Sequence, residues 1–177
     1  MGVRSLLKLK AQVVWYYLGM RRELKIRIND YEEVEKKLLG LGAKFIKQAK
    51  ARDLYFNQPE GKVLKLTEND EGFFETRLER RGNHFYFTKK QAVSDLASAA
   101  DRLLKNFTVK KRIVNKQRFF SYKGFLISTN RIDRVGQFLV IESHKYNPTV
   151  SFVTNELGIK NPEVVTESFD NLPESKT

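Results

Sequence analysis

Basic residues alternate with apolar ones in several short segments of the chain. Lys25 and Arg27 lie in one such segment, and Lys65, Lys116 and Arg118 lie in others. Because successive side chains of an extended strand point to opposite faces, each segment predicts a strand with one cationic face. Lys and Arg side chains that arrive from several strands could hold a multiply charged anion, with Arg able to bind two oxygens at once.

Two arrangements of these cationic faces are open. A solvated face is the commoner arrangement for any single strand. The alternative is a closed antiparallel barrel in which the cationic faces of several strands converge and helices cover the outside. The residue pattern alone does not choose between them.

The composition points to an anionic partner and excludes several chemistries. The formal net charge of +12 favours nucleic acid, a phosphorylated metabolite or an acidic membrane surface. The absence of cysteine excludes disulfides, thiolate zinc sites and thiol catalysis, and it fits a cytoplasmic protein. The two histidines, His84 and His144, show no metal-ligand or acid–base spacing, and the chain contains no glycine-rich phosphate loop.

The remaining pattern indicates an α+β domain with an antiparallel sheet. Helices are predicted at 30–41, 94–104 and 148–157, because each segment has a capping residue or a proline at its start and apolar residues at helical spacing. Short strands and turn signals fill the rest.

The length of the chain suits one domain. We expect residues 1–19 to be an N-terminal extension, 20–170 to be the domain and 171–177 to be a tail. Lys8 and Lys10 interrupt the apolar segment 5–19, so no membrane span is predicted. The oligomeric state stays open.

Four blocks of sequence follow one another in an order that resembles a known family. Glu23 and Lys25 fit the end of a Glu-x-Glu-x-Lys block, and residues 38–47 fit a helix followed by a Leu-Gly-Ala turn. Residues 52–70 fit an Asp-x-Tyr-Phe stretch that leads into a basic strand holding Lys65. The last block, 114–143, fits through Lys116, Arg118, Gly136, Phe138 and Glu142. From residue 20 onward the chain therefore resembles the CYTH, or triphosphate tunnel, family of class IV adenylyl cyclases and thiamine triphosphatases.

This resemblance implies a closed antiparallel barrel whose basic tunnel holds a triphosphate. It implies catalytic roles for Lys25 and Glu23 and a metal site, for Mg²⁺ or Mn²⁺, at Glu23 and Glu142. One of Lys89 and Lys90 is expected to supply a further tunnel lysine. The expected phosphate ligands are Lys25, Arg27, Lys65, Arg77, Lys116 and Arg118.

The chain departs from the family pattern at three acidic positions. Arg21, Asn130 and Val140 stand where the family carries carboxylates, so two-metal chemistry is not expected. Four unmatched acids are interpreted as ion-pair partners of the excess cations: Asp53, Glu75, Glu79 and Asp133.

Three functions remain open at this point. The first is a metal-dependent triphosphatase, nucleotide phosphohydrolase or adenylyl cyclase. The second is a catalytically inactive binder of a polyphosphorylated small molecule. The third, which we rank lowest, is a basic RNA-binding domain with its positive charge outside the barrel.

Overall fold

The computed structural model describes residues 21–174, and the predicted extension at 1–19 lies outside the described residues. This part of the chain contains two α-helices, α1 (Tyr31–Gly40) and α2 (Leu96–Leu104), and nine strands. The strands are β1 (Arg22–Ile28), β2 (Lys44–Phe56), β3 (Lys62–Asn69), β4 (Gly72–Arg81), β5 (His84–Val93), β6 (Val109–Tyr122), β7 (Phe125–Ile132), β8 (Gly136–Ser143) and β9 (Glu163–Val164).

Eight of these strands close into an antiparallel barrel. The order around the barrel is β1-β8-β7-β6-β2-β3-β4-β5, and β5 returns to pair with the start of β1. The short strand β9 pairs with β1 next to Ile26 and Arg27. The predicted α+β class and the predicted closed barrel with helices outside are confirmed.

Strict alternation along β1 separates the outside of the barrel from its inside. Leu24 and Ile26 are fully buried on the outer side, where they pack with Val34 and Leu38 of α1. Glu23 and Lys25, which alternate with them, face inward. Helix α2 covers the outer side of β3 in the same way, through Leu103.

The two predicted helix starts are confirmed by their caps. The Asp30 carboxylate accepts hydrogen bonds from the backbone N–H groups of Glu32 and Glu33, and α1 follows at once. Asp95 caps α2 in the same way. The third predicted helix, at 148–157, is shorter than expected, because its regular part is a π-helix of five residues, Phe152–Glu156.

The C-terminal segment after β9 fills one end of the barrel. Val165, Phe169 and Leu172 are buried in an apolar cluster with inward residues of the barrel such as Phe138. The packed domain thus extends to Leu172, inside the segment 171–177 that we expected to be a tail. Between residues 21 and 174, no helix has both the length and the apolar character needed to cross a membrane.

Candidate functional site

The open half of the barrel interior forms a cavity of about 370 Å³. Inward side chains from all eight barrel strands line it, and residues Ser168 and Phe169 of the C-terminal segment form part of its floor. Its volume lies near the lower end of the range usual for small-molecule sites.

Lys25 lies deep in this cavity and is 3% exposed. Its Nζ donates to the backbone oxygen of Glu167 at 2.9 Å and lies 4.1 Å from the ring centroid of Phe169 and 4.8 Å from that of Phe85. Burial lowers the pKa of Lys25 to about 8, although Glu23 opposes the change. Lys25 is therefore still mainly protonated at neutral pH.

Lys65 enters the cavity from β3 and has a dedicated counter-ion. Its Nζ lies 3.1 Å from Oδ2 of Asp53, whose other oxygen accepts a hydrogen bond from the Thr67 hydroxyl. Burial by itself lowers the pKa of Lys65, but Asp53 more than offsets this, so the pKa lies above its ordinary value. Lys65 stays charged at any physiological pH.

Glu23 and Glu142 stand directly opposite each other on β1 and β8. Burial raises the pKa of Glu23; Lys25 opposes this, whereas the nearby Glu142 adds to it. The Arg21 guanidinium forms an ion pair with Glu142. One of the two matched carboxylates is thus already neutralised by the residue that replaces a family acid.

Asn130, which stands in place of another family acid, organises an amide cluster on the wall made by β6 and β7. Its Oδ1 accepts from Asn115 Nδ2 at 2.8 Å and from Gln117 Nε2 at 2.9 Å. Its Nδ2 donates to the hydroxyl of Ser128 at 2.9 Å. Both lone pairs of the carbonyl oxygen are therefore in use.

The mouth of the cavity has a cationic side and an apolar side. Lys90 of β5 lies beside Arg21, and burial, followed by the charge of Arg21, lowers the pKa of Lys90. Across the barrel, the neighbouring strands β2, β6 and β7 contribute Ile46, Phe119 and Leu126 to the cavity wall, which we call the apolar arc.

The structure brings Lys25, Lys65, Glu23 and Glu142 together in the cavity, as predicted. Arg27 lies on the same face of β1 as Lys25, as expected, but at the end of the barrel that the C-terminal segment fills. There its Nε contacts Glu163 at 3.0 Å and its guanidinium lies over the Phe138 ring. It does not line the cavity.

The predicted placement of Arg77, Lys116 and Arg118 inside the barrel is wrong. On β6 the inward residues are Asn115 and Gln117, one position away from the expected pair, and a shift of one residue exchanges the two faces of a strand. Arg118 pairs outside with Glu35 of α1 at 3.2 Å, and Lys116 is exposed.

Arg77 also lies outside the barrel. Its Nε contacts Glu75, which is fully buried beneath α2 and is also bound by Lys89 and Arg102. Asp53, Glu75 and Glu79 each form the ion pairs that were predicted for them, Glu79 with Arg81.

Sequence reasoning missed the inward roles of Arg21, Asn115 and Gln117. The parity of β1 already placed Arg21 on the face of Glu23 and Lys25, so that signal was present. No such signal existed on β6, where apolar residues occur on both faces: Ile113 inside and Phe120 outside.

The side chains present do not fit a divalent cation held by the protein alone. Arg21 occupies Glu142, and the Asn130 carbonyl oxygen is saturated by two amides. Within residues 21–174, no group of three or more Asp, Glu, His or Cys side chains is arranged to hold a metal. Mg²⁺ usually needs oxygen ligands that are free to approach it.

The fold has close counterparts among solved structures. The PH1012 protein from Pyrococcus horikoshii is 25% identical, with a TM-score of 0.77 over 86% of this chain and 98% of that one. A candidate adenylate cyclase from Vibrio parahaemolyticus is 15% identical, with a TM-score of 0.57 over 78% of this chain and 82% of that one. HpAC1 from Hippeastrum, a candidate adenylyl cyclase reported to have a dominant triphosphatase activity, is 12% identical, with a TM-score of 0.59 over 84% of this chain and 92% of that one.

No family model and no curated protein matches the sequence. The barrel, its interior cavity and these structural counterparts nevertheless define the chain as a protein with the CYTH, or triphosphate tunnel, fold. The resemblance of the four sequence blocks is confirmed at the level of the fold.

Proposed function

We propose that the cavity binds a polyphosphorylated small molecule and that binding does not require a divalent metal. The observation that carries the proposal is that two lysines in the cavity lack a nearby carboxylate. Lys25 and Lys90 face the same cavity, and among residues 21–174 neither has a carboxylate within ion-pair distance. The other cavity cations have one: Lys65 has Asp53, Arg21 has Glu142 and Lys47 has Glu71.

Burial without a counter-ion disfavours a charged lysine, and the lowered pKa values of Lys25 and Lys90 express that cost. An anionic ligand would remove it by supplying the missing negative charge. Phosphate oxygens suit this role, because lysine binds phosphate as a compact point charge with three donors.

The depth of the cavity favours an extended ligand. Lys90 lies beside Arg21 at the mouth, whereas Lys25 follows Arg21 by four residues along the chain, about 13 Å at the usual strand rise. A chain of phosphates can contact both Lys90 and Lys25, whereas a single orthophosphate is too short to do so. The apolar arc of Ile46, Phe119 and Leu126 offers contact to an organic group attached at the mouth end.

Metal-dependent hydrolysis is the second candidate function. It is supported by the likeness of the fold to HpAC1, whose reported activity is that of a triphosphatase. The ion pair of Arg21 with Glu142 and the saturated Asn130 favour binding without turnover over this alternative. A requirement for Mg²⁺ or Mn²⁺ is predicted only for this enzymatic alternative.

Titration calorimetry with tripolyphosphate in the presence of EDTA tests the proposal. We expect tripolyphosphate to bind the unmodified protein, and its affinity to fall at least tenfold in Lys25→Met and in Lys90→Met. Orthophosphate should bind the unmodified protein more weakly than tripolyphosphate does. Lys62→Met is the matched control, because Lys62 is an exposed lysine on the outer side of β3. Equal binding by all variants would reject the cavity as the site, and rapid phosphate release that needs Mg²⁺ or Mn²⁺ would favour the enzyme.

A further inference from the structure

A second cationic surface lies on the outside of the barrel, on the middle of β2, β6 and β7. It consists of Lys50, Arg52, Arg112, Lys116 and Arg131, which we call the basic face. The first four residues are exposed. The basic face includes Lys116, one of the predicted phosphate ligands that lie outside the cavity.

The register of the three strands places like charges side by side. Lys50 is directly opposite Lys116, and Lys116 is directly opposite Arg131. Directly paired strand residues lie about 4.5–5.5 Å apart at Cα, and like charges in such pairs destabilise a sheet. A row of three cations across three strands is therefore an arrangement that folding alone does not favour.

Few carboxylates among the described residues lie close enough to neutralise the basic face. Arg52 lies 3.6 Å from Glu68, and Arg131 donates to the Tyr31 hydroxyl at 2.8 Å. Within the part of the chain that the structure describes, the side chains of Lys50, Arg112 and Lys116 form no ion pair or hydrogen bond.

Helix α1 contacts the basic face at Arg131, and the helices leave its β2 and β6 residues open. Helix α1 packs over β1, β7 and β8, and α2 packs over β3, so the middle of the β2–β6 pair lies between them. Val114, in the centre of the basic face, is 41% exposed. A single exposed valine offers little apolar area for insertion into a membrane.

We propose that the basic face binds the phosphate backbone of a nucleic acid without reading its sequence. Sequence-independent binding of this kind rests on Lys and Arg neutralising several phosphates. The proposed site is separate from the cavity, because Asn115 and Gln117 of the same strand point inward while Lys116 points outward. This proposal does not depend on the function proposed for the cavity.

Fluorescence anisotropy with a labelled RNA of about 16 nucleotides, a length at the upper end of common single-strand sites, tests this inference. The triple variant Lys50→Gln, Arg112→Gln and Lys116→Gln should bind more than tenfold more weakly at low salt. The slope of log K against log salt should fall by about 2, since each single-strand phosphate contact contributes about 0.7. Its thermal stability should be unchanged or slightly higher, because repulsion is removed.

The control removes the same net charge elsewhere, through Lys62→Gln, Lys105→Gln and Lys160→Gln, all exposed lysines outside the basic face. RNA binding by this control should match that of the unmodified protein. The inference is overturned by equal weakening in both triple variants. Displacement of RNA by tripolyphosphate, or stronger binding to phosphatidylserine-rich vesicles than to RNA, would also overturn it.

Discussion

Arg21 pairs with Glu142 at the mouth of the cavity, across the β1–β8 pair. The side chain that replaces one family acid thereby also neutralises another that remains. Metal binding should therefore require both removal of this ion pair and new carboxylates at the replaced positions.

Arg21→Glu combined with Asn130→Asp should create a Mn²⁺ site. The double change adds two carboxylates beside Glu23 and Glu142 and frees Glu142 from its cation. Mn²⁺ at a hundred times its Kd would stabilise the fold by about 2.7 kcal/mol. For a domain of this size that is a rise of roughly 5–10 °C in Tm.

Thermal unfolding with and without Mn²⁺ measures the effect. Arg21→Gln with Asn130 unchanged is the control, since it removes the cation without adding a carboxylate. A comparable Mn²⁺-dependent rise in the unmodified protein would contradict the conclusion that its side chains do not fit a metal.

Binding of tripolyphosphate should weaken as the pH rises through about 8. Lys25 has a pKa lowered to about 8 by burial, so it loses its positive charge in this window. Lys90, whose pKa is also lowered, acts in the same direction, whereas Lys65 stays charged because its pKa is raised. One linked proton changes the affinity by up to about tenfold per pH unit.

Calorimetry between neutral and alkaline pH, in two buffers of different ionisation enthalpy, should detect proton uptake on binding. Lys25→Arg should flatten the pH profile, because arginine stays protonated. A profile that keeps its full slope in this variant would assign the titration to another group.

Removal of the Asn130 side chain should destabilise the barrel. Asn130→Ala leaves the Nδ2 groups of Asn115 and Gln117 without their acceptor and Ser128 without its amide donor. Each buried polar group left unsatisfied costs about 1–3 kcal/mol. Asn130→Asp should cost less, since its carboxylate can still accept from both amides.

Urea unfolding of the two variants at neutral pH provides the comparison. The order of stability should be the unmodified protein first, then Asn130→Asp, then Asn130→Ala. An Asn130→Ala variant as stable as the unmodified protein would show that the amide cluster contributes nothing.

Glu75→Gln should destabilise the packing of α2 on the barrel at neutral pH. Burial alone raises the pKa of Glu75, but hydrogen bonds from Arg102, Lys89 and Arg77 more than offset this and lower it. These cations are 34–50% exposed. Their solvent screening reduces the expected cost to about 1–3 kcal/mol, below that of a fully buried pair.

The effect should depend on pH in a defined direction. A carboxyl group with a lowered folded-state pKa contributes stability above its unfolded pKa and loses it as the pH falls through the folded value. The difference in unfolding free energy between Glu75→Gln and the unmodified protein should therefore shrink in acid. A difference that stays constant down to acidic pH would point to lost packing instead.

The sequence predicted the fold better than it predicted the site. The capping signals at Asp30 and at Ser94 or Asp95, and the clean alternation of β1, are local, and the structure has helix starts and inward charges where they predicted them. Lys65 was placed correctly for the same reason, since Leu64 and Leu66 mark the outer side of β3.

The errors lie where local alternation is ambiguous. In β6, apolar side chains pack on both sides, against the interior at Ile113 and against α1 at Phe120. Which side chains of β6 point inward is decided by its pairing with β2 and β7, and the local sequence pattern does not reveal that pairing. The ion pair of Arg21 with Glu142 likewise joins residues that are 121 positions apart in the sequence.

Because Phe169 and Leu172 plug one end of the barrel, the cavity is a dead end. A long polyanion cannot thread past Lys25, so only the terminus of such a chain can reach that lysine. Under the proposed function, a bound ligand would have to leave by the route through which the next molecule arrives. Entry and exit of the proposed ligand would therefore use the same opening of the cavity, beside Arg21 and Lys90.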